Sequence, residues 1–79
     1  MKNKISISDN TIKEYRFKLG DKIKSVREKK GYSQEELADI MQINRSTISK
    51  IENGKFSISV DYLIYFSIVL DYEFKIIEK

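Results

Sequence analysis

The segment from Ser33 to Lys55, SQEELADIMQINRSTISKIENGK, constrains the fold of this 79-residue chain more than any other feature. Ser33 and, three residues later, Glu36 form the pattern of a capping box, which predicts the start of a helix. The apolar side of that helix is formed by Leu37, Ala38, Ile40 and Met41. Asn44 can cap a second helix over residues 45–52, which the following Asn-Gly pair would end. The sequence therefore predicts two short helices joined by a turn of only a few residues.

A longer helix is predicted before this segment. From about Phe17 onward, apolar residues recur at spacings of four and three, which is typical of one helix face. These residues are Leu19, Ile23 and Val26. The Lys-Lys-Gly sequence at residues 29–31 indicates the end of the helix, because cations suit its negative end and glycine suits a left-handed position just after it.

A fourth helix is predicted from Ser59 to about Leu70, and it has two apolar stripes. The first stripe contains Val60, Leu63, Ile64, Ser67 and Ile68. The second stripe contains Tyr62, Tyr65, Phe66 and Val69. A helix that is apolar over most of its circumference needs burial on two sides. We therefore expect the second stripe to lie in a core or a dimer interface, in preference to a platform for base stacking.

Both ends of the chain show a strand-like alternation of apolar and polar residues. Residues 73–77 are predicted to form a strand, which would need a partner strand. Residues 4–8, Lys-Ile-Ser-Ile-Ser, fit either a short strand or a disordered tail.

Composition excludes several classes of function. The chain has no Cys and no His, which removes thiolate nucleophiles, disulfides, the usual zinc ligands and the commonest general base. No apolar run approaches the length of a membrane span, and the N-terminus lacks the apolar core of a signal peptide. We therefore expect a cytoplasmic protein that is not an enzyme and has no catalytic or metal site, cofactor, small-molecule ligand or membrane contact.

Positive charge is concentrated in the N-terminal third. Residues 1–30 hold ten Lys or Arg and four Asp or Glu, whereas residues 31–58 hold three and four and residues 59–79 hold two and four. A polyanionic partner and a merely solvated lysine-rich surface explain this distribution equally well.

The helix over residues 45–52 has one polar face without an evident partner. At about 100° per residue, Ile48 and Ile51 point inward. The opposite side carries Ser46, Ser49, Lys50 and Asn53, with Arg45 at the leading flank. A short helix held across a tight turn, with hydrogen-bonding side chains exposed, has the shape that enters the major groove of B-DNA.

The motifs LGDKIKSVREKKGYSQEELA and INRSTISKIENGK resemble the Xre family of transcriptional regulators, the lambda-Cro and phage-repressor type of helix-turn-helix. The resemblance covers about Phe17 to Leu70. The matching apolar set is Leu37, Ala38, Met41, Ile43, Ile48 and Ile51. Gln42 departs from the family, which most often has glycine in this turn, so a side chain there must tolerate positive φ or shift the turn.

This resemblance implies a mainly α fold, a small lambda-repressor-like domain of bacterial or phage origin. The predicted elements give it four helices and, where the family pattern would have a fifth helix, a C-terminal β-strand. Residues 1–16 would be an N-terminal arm or short strand, residues 17–70 the DNA-binding domain, and residues 71–79 a strand that dimerises the protein. The expected dimer interface contains Tyr62, Tyr65, Phe66, Val69, Phe74 and Ile76.

The resemblance also implies roles for individual residues. The residues expected to read bases are Arg45, Ser46, Ser49 and Lys50. The residues expected to contact phosphates or the DNA backbone are Ser33, Gln34, Asn44, Thr47, Asn53 and Lys55. Arg27 and Glu52 are expected to form a structural ion pair, with a phosphate contact as a second role for Arg27. Because Arg45 and Lys50 suit guanine, we expect at least one G·C pair per half-site.

Two functions remain open at this point. The first is a repressor that binds double-stranded DNA at an inverted-repeat operator as a homodimer. The second is an antitoxin-type module that mainly binds a partner protein, such as a toxin, and uses DNA binding for autoregulation.

Overall fold

The computed structural model describes residues 7–79, in which the chain forms four helices and no strand. The helices are α1 (Asp9–Lys29), α2 (Gln34–Met41), α3 (Arg45–Glu52) and α4 (Val60–Leu70). The mainly α, four-helix prediction is therefore confirmed. None of these helices is long and apolar enough to cross a membrane.

Helix α1 begins eight residues earlier than its apolar periodicity predicts. Ser8 is its N-cap, and the Ser8 hydroxyl accepts a hydrogen bond from the Thr11 backbone N–H at 3.2 Å. Asp9 in the first turn also suits the positive end of the helix. The prediction of an arm or strand is therefore wrong for residues 9–16, because the cap lies upstream of the first core residue. Part of the alternating segment 4–8 lies outside the described residues.

The ends of the other helices follow the predicted local signals. Ser33 and Glu36 form both hydrogen bonds of a capping box, and Ser59 caps α4 by accepting from the Tyr62 N–H at 3.1 Å. Gln42 does adopt a positive φ of 56°, so the turn after α2 keeps its left-handed residue despite the side chain. Asn44 occupies the N-cap position of α3, but its side chain makes no capping hydrogen bond.

The core lies between the four helices, where α3 and α4 each pack against α1 and α2. Its buried apolar residues are Ile23, Leu37, Ala38, Met41, Ile48, Ile51, Phe66 and Leu70. Gly20 lies at the crossing of α1 and α3, where a Cβ atom would collide with the backbone carbonyl oxygen of Ile51. The absence of a side chain at Gly20 therefore lets the two helix backbones approach closely.

Helix α4 turns the second of its two apolar stripes toward the core. Phe66 is fully buried, whereas Val60, Ile64 and Ile68 of the first stripe are 69%, 52% and 74% exposed. Tyr62 and Val69 also pack against the core. The prediction that places Phe66 in a dimer interface is therefore corrected, because a fully buried ring has no surface for a partner. Two stripes of similar apolarity cannot be ranked by periodicity alone.

The strand predicted over residues 73–77 is not present in the described chain. Residues 73–79 have no regular secondary structure, and Ile76 is fully exposed. The rings of Tyr72 and Phe74 pack edge to face, with 4.9 Å between ring centroids. A strand requires hydrogen bonds to a neighbouring strand, and residues 7–79 of a single chain offer none.

Candidate nucleic-acid interface

Helix α3 has a fully buried face and a free polar face, as its pattern predicts. Ile48 and Ile51 are 0% exposed. Arg45, Ser46 and Lys50 are exposed, and no side-chain hydrogen bond or ion pair between described residues uses them. The helix is thus fixed on one side and leaves two cations and a hydroxyl available on the other.

The end of α3 is stabilised by a side chain of the same polar face. The Asn53 side-chain amide donates to the Ser49 carbonyl oxygen at 2.8 Å, and its nitrogen lies 3.5 Å from the Ser49 hydroxyl. Ser49 is only partly exposed, as is Thr47, whereas Asn44 and Lys55 are exposed. Among the predicted contact residues, Ser49 is therefore less accessible than Arg45, Ser46 or Lys50.

A buried ion pair holds α3 in place. Arg27 donates from Nε to Glu52 Oε2 at 2.6 Å and from Nη2 to Glu52 Oε1 at 3.0 Å, so the predicted structural pair is present. Arg27 Nη1 also donates to the Tyr32 carbonyl oxygen at 2.7 Å. The hydrogen bond to Glu52 raises the pKa of Arg27 above its ordinary value, although burial acts in the opposite direction. The guanidinium stays charged, and it ties the end of α1 to the end of α3.

Gln34 joins this pair, a role that the sequence did not reveal. Its side-chain amide donates to Glu52 Oε1 at 3.0 Å, so all three helices α1, α2 and α3 meet at one carboxylate. The prediction of a DNA-backbone contact for Gln34 stays a prediction, but in this structure its amide faces Glu52. Neither the spacing of Gln34 from Glu52 in the chain nor the residue types indicate this contact.

Ser33 is engaged in capping the start of α2. Its hydroxyl accepts from the Glu36 N–H at 3.0 Å, and its own N–H donates to Glu36 Oε1 at 2.9 Å. This backbone hydrogen bond lowers the pKa of Glu36 below its ordinary value. The predicted phosphate contact by Ser33 would have to use the remaining capacity of its hydroxyl.

Gly20 is a second residue that positions α3 and that the sequence pattern did not identify. It is an isolated glycine inside a helical pattern, and such a glycine can indicate close packing. The spacing of apolar residues does not take this signal into account. Its position against Ile51 sets the distance of α1 from α3.

In residues 7–79, no three side chains of the His, Cys, Asp or Glu types come together as a metal site.

Comparisons with known proteins agree with this geometry. Residues 23–77 match the model of a protein family described as helix-turn-helix, HTH_3. A predicted HTH-type transcriptional regulatory protein of Pyrococcus furiosus is 33% identical over 52 residues, which are 66% of this chain and 16% of that protein. The chain therefore spans about one sixth of the length of this relative.

A solved structure is similar over most of its length. The crystal structure of the restriction-modification controller protein C.AhdI from Aeromonas hydrophila superposes with a TM-score of 0.72 and 30% identity. The match covers 76% of this chain and 91% of that one.

Proposed function

This chain belongs to the helix-turn-helix family, and from that premise we propose that it is a transcriptional repressor that binds double-stranded DNA sequence-specifically. The main support for the proposal is that α3 has one buried face and one exposed polar face. Its inner face is fully buried at Ile48 and Ile51, while Arg45, Ser46 and Lys50 face outward without partners among the described residues. Hydrogen-bond donors on a rigid, exposed helix are what base edges in a major groove require.

We assign two roles to the polar residues on and around α3. Arg45, Ser46 and Lys50, which are exposed, would read base edges, with Ser49 as a less accessible fourth. The backbone contacts proposed for this interface are Ser33, Gln34, Asn44, Thr47, Asn53 and Lys55. Arginine and lysine donate well to guanine O6 and N7, which supports at least one G·C pair in each half-site.

A homodimer on an inverted repeat is the arrangement that fits a domain with one short recognition helix. Two such helices about 34 Å apart would match half-sites one DNA turn apart and would combine two modest affinities. The surface that supports dimerisation is the exposed stripe of α4, formed by Val60, Ile64 and Ile68. Tyr65, Phe74 and Ile76, which the sequence pattern assigns to the dimer interface, are also exposed. Repression would follow from occupancy of a promoter.

Selection of bound sites from a random duplex pool tests this function. The purified chain and an Arg45→Ala, Lys50→Ala variant would be compared at two salt concentrations. We expect the wild type to enrich a palindrome and the variant to lose it, because both substitutions remove donors to bases and leave the buried face of α3 intact. Binding that depends on salt and enriches no sequence would contradict the proposal.

A second function is supported by the same apolar stripe of α4. If Val60, Ile64 and Ile68 bind a different protein, the chain would act as an antitoxin-type module. The two functions differ in the state of the pure protein. A chain that is monomeric at micromolar concentration and enriches no DNA sequence would favour the partner-binding function.

A further inference from the structure

Helix α1 presents two arginines on one face, and among residues 7–79 only one of them forms an ion pair. Arg16 and Arg27 are eleven residues apart, which at about 100° and 1.5 Å per residue places them on the same side of α1, about 16 Å apart along its axis. Arg27 is paired with Glu52. Arg16 is partly buried, yet within residues 7–79 it takes part in no side-chain hydrogen bond or ion pair.

Arg16 lines an open groove between the first half of α1 and the segment that follows α3. The groove has a volume of about 640 Å³. Among the described residues that line it, four are cationic, namely Lys13, Arg16, Lys18 and Lys55, and one, Glu14, is acidic. The groove thus carries a formal charge of +3, as large as that of the entire chain.

A close backbone contact forms the base of this groove. Gly54 has a φ of +71°, and a Cβ atom there would lie 2.7 Å from the Cα atom of Phe17. The helix and the segment after α3 are therefore in direct contact, and both contribute cationic residues to the lining of the groove. Neither side can move away without losing this packing.

We propose that this groove, centred on Arg16 and Lys13, binds the DNA phosphate backbone beside the site read by α3. This inference rests on the proposed function. Asn53 and Lys55 end α3 and also line the groove, so the surface is continuous with the proposed backbone contacts. A partly buried guanidinium without a carboxylate favours an anion, and phosphate accepts two hydrogen bonds from the planar guanidinium fork.

Such contacts predict affinity without sequence preference. Phosphates are the same at every base pair, so the groove would orient the protein and add to salt-dependent binding, while α3 alone selects the sequence. Residues 9–22 precede the part of the chain that matches the helix-turn-helix model, which begins at residue 23. The groove is thus built largely by the additional turns of α1.

The salt dependence of binding to the selected duplex tests the proposal. Lys13→Gln, Arg16→Gln would be compared with Lys22→Gln, Lys29→Gln, which removes the same charge from exposed positions of α1 outside the groove. We expect the groove variant to reduce the slope of log affinity against log salt by about 1.8, because each lost phosphate contact contributes about 0.9. The control variant should keep the wild-type slope. Over a fourfold rise in salt, the wild type should therefore lose about tenfold more affinity than the groove variant.

The remaining outcomes separate this inference from the proposed function. An unchanged slope for the groove variant, or an equal change in the control, would overturn the inference while the wild type still selects its sequence. If the wild type selects no sequence, the proposed function fails, and the slope measured on an arbitrary duplex still tests the groove. Lys13→Gln alone, at an exposed position, should lower the slope by about 0.9. This single variant keeps the test valid if the double variant misfolds.

Loss of binding to phosphatidylserine vesicles with an unchanged DNA slope would assign the groove to membranes and overturn the inference.

Discussion

Arg27 and Glu52 form a two-point ion pair in which both side chains are almost completely buried. The Arg27 side chain is 8% exposed and that of Glu52 is 2% exposed, and both oxygens of the carboxylate receive guanidinium hydrogen bonds. The pair links the last turn of α1 to the last turn of α3, and Gln34 of α2 donates to the same carboxylate. The position of the proposed recognition helix therefore depends on a charge pair that solvent screens only weakly.

Removing one member of this pair should destabilise the fold strongly. Arg27→Ala leaves Glu52 buried and without its counter-charge, and we expect a loss of about 3–5 kcal/mol in the free energy of unfolding by urea. Lys30→Ala is the control, because it breaks an exposed ion pair with Asp71 at 3.8 Å and should cost less than about 1 kcal/mol. Similar losses for both variants would contradict a structural role for the buried pair.

A side chain at Gly20 should separate α1 from α3. Gly20→Ala places a Cβ atom against the carbonyl oxygen of Ile51, and we expect a loss of about 1–3 kcal/mol in thermal or urea unfolding. Gly31→Ala is the comparison, since Gly31 has a φ of +80° but no atom near its Cβ position. That variant should show only the backbone cost of about 1–2 kcal/mol. Proton chemical shifts of Ile51 should move in Gly20→Ala and not in Gly31→Ala.

Arg45 and Lys55 should affect DNA binding in different ways. Arg45→Ala should relax the preference at one base pair, at a cost of about 1–3 kcal/mol for the preferred sequence. Lys55→Ala should weaken binding to all sequences alike and lower the salt slope by about 1. Competition binding with duplexes substituted one position at a time measures both effects. If Arg45→Ala weakened binding to all duplexes equally, Arg45 would contact the DNA backbone and not a base.

Charges on the exposed stripe of α4 should abolish a dimer without unfolding the chain. Ile64→Lys, Ile68→Lys changes two residues that are 52% and 74% exposed, and sedimentation equilibrium should show a folded monomer. Ser25→Lys, at an exposed position of α1, should leave the oligomeric state unchanged. Phe66→Ala should instead cost about 3–5 kcal/mol of monomer stability, because its ring is fully buried. A dimer that survives the double substitution would exclude this stripe as the interface.

The hydroxyl of Tyr72 should make the protein sensitive to alkaline pH. This hydroxyl is buried and has no hydrogen-bond partner among the described residues, and burial raises the pKa of Tyr72 from 10.0 to about 12. Above pH 10 the unfolded chain releases the proton more readily than the folded chain, so stability falls as the pH rises toward 12. Tyr72→Phe lacks this titration and should become the more stable form in urea unfolding at pH 11. At pH 8, where Tyr72 is protonated in both states, this contribution is absent, and Tyr72→Phe should show only the smaller gain from removing a buried hydroxyl that has no hydrogen-bond partner.

Local signals predicted the central part of the fold well. The capping box at Ser33, the cap at Ser59 and the left-handed Gly31 depend only on residues within a few positions of one another. The buried side of α3 followed from spacing, as did that of α2 except for Ile40, which was placed on the apolar side but is 44% exposed, because a short helix with one apolar stripe has one way to face a core. The Arg27 and Glu52 pair came instead from resemblance to a family, since 25 residues separate its members.

The sequence by itself determined the two short helices, their tight turn at Gln42 and the free polar face of α3, because these follow from neighbouring residues. Tertiary structure alone decided that Phe66 faces inward and Ile68 outward, that Gln34 meets Glu52, and that α1 crosses α3 at Gly20. It also left residues 73–79 without a strand partner in the described chain. The physical reason is that these features depend on contacts between residues far apart in the chain, which helical periodicity and capping patterns do not encode.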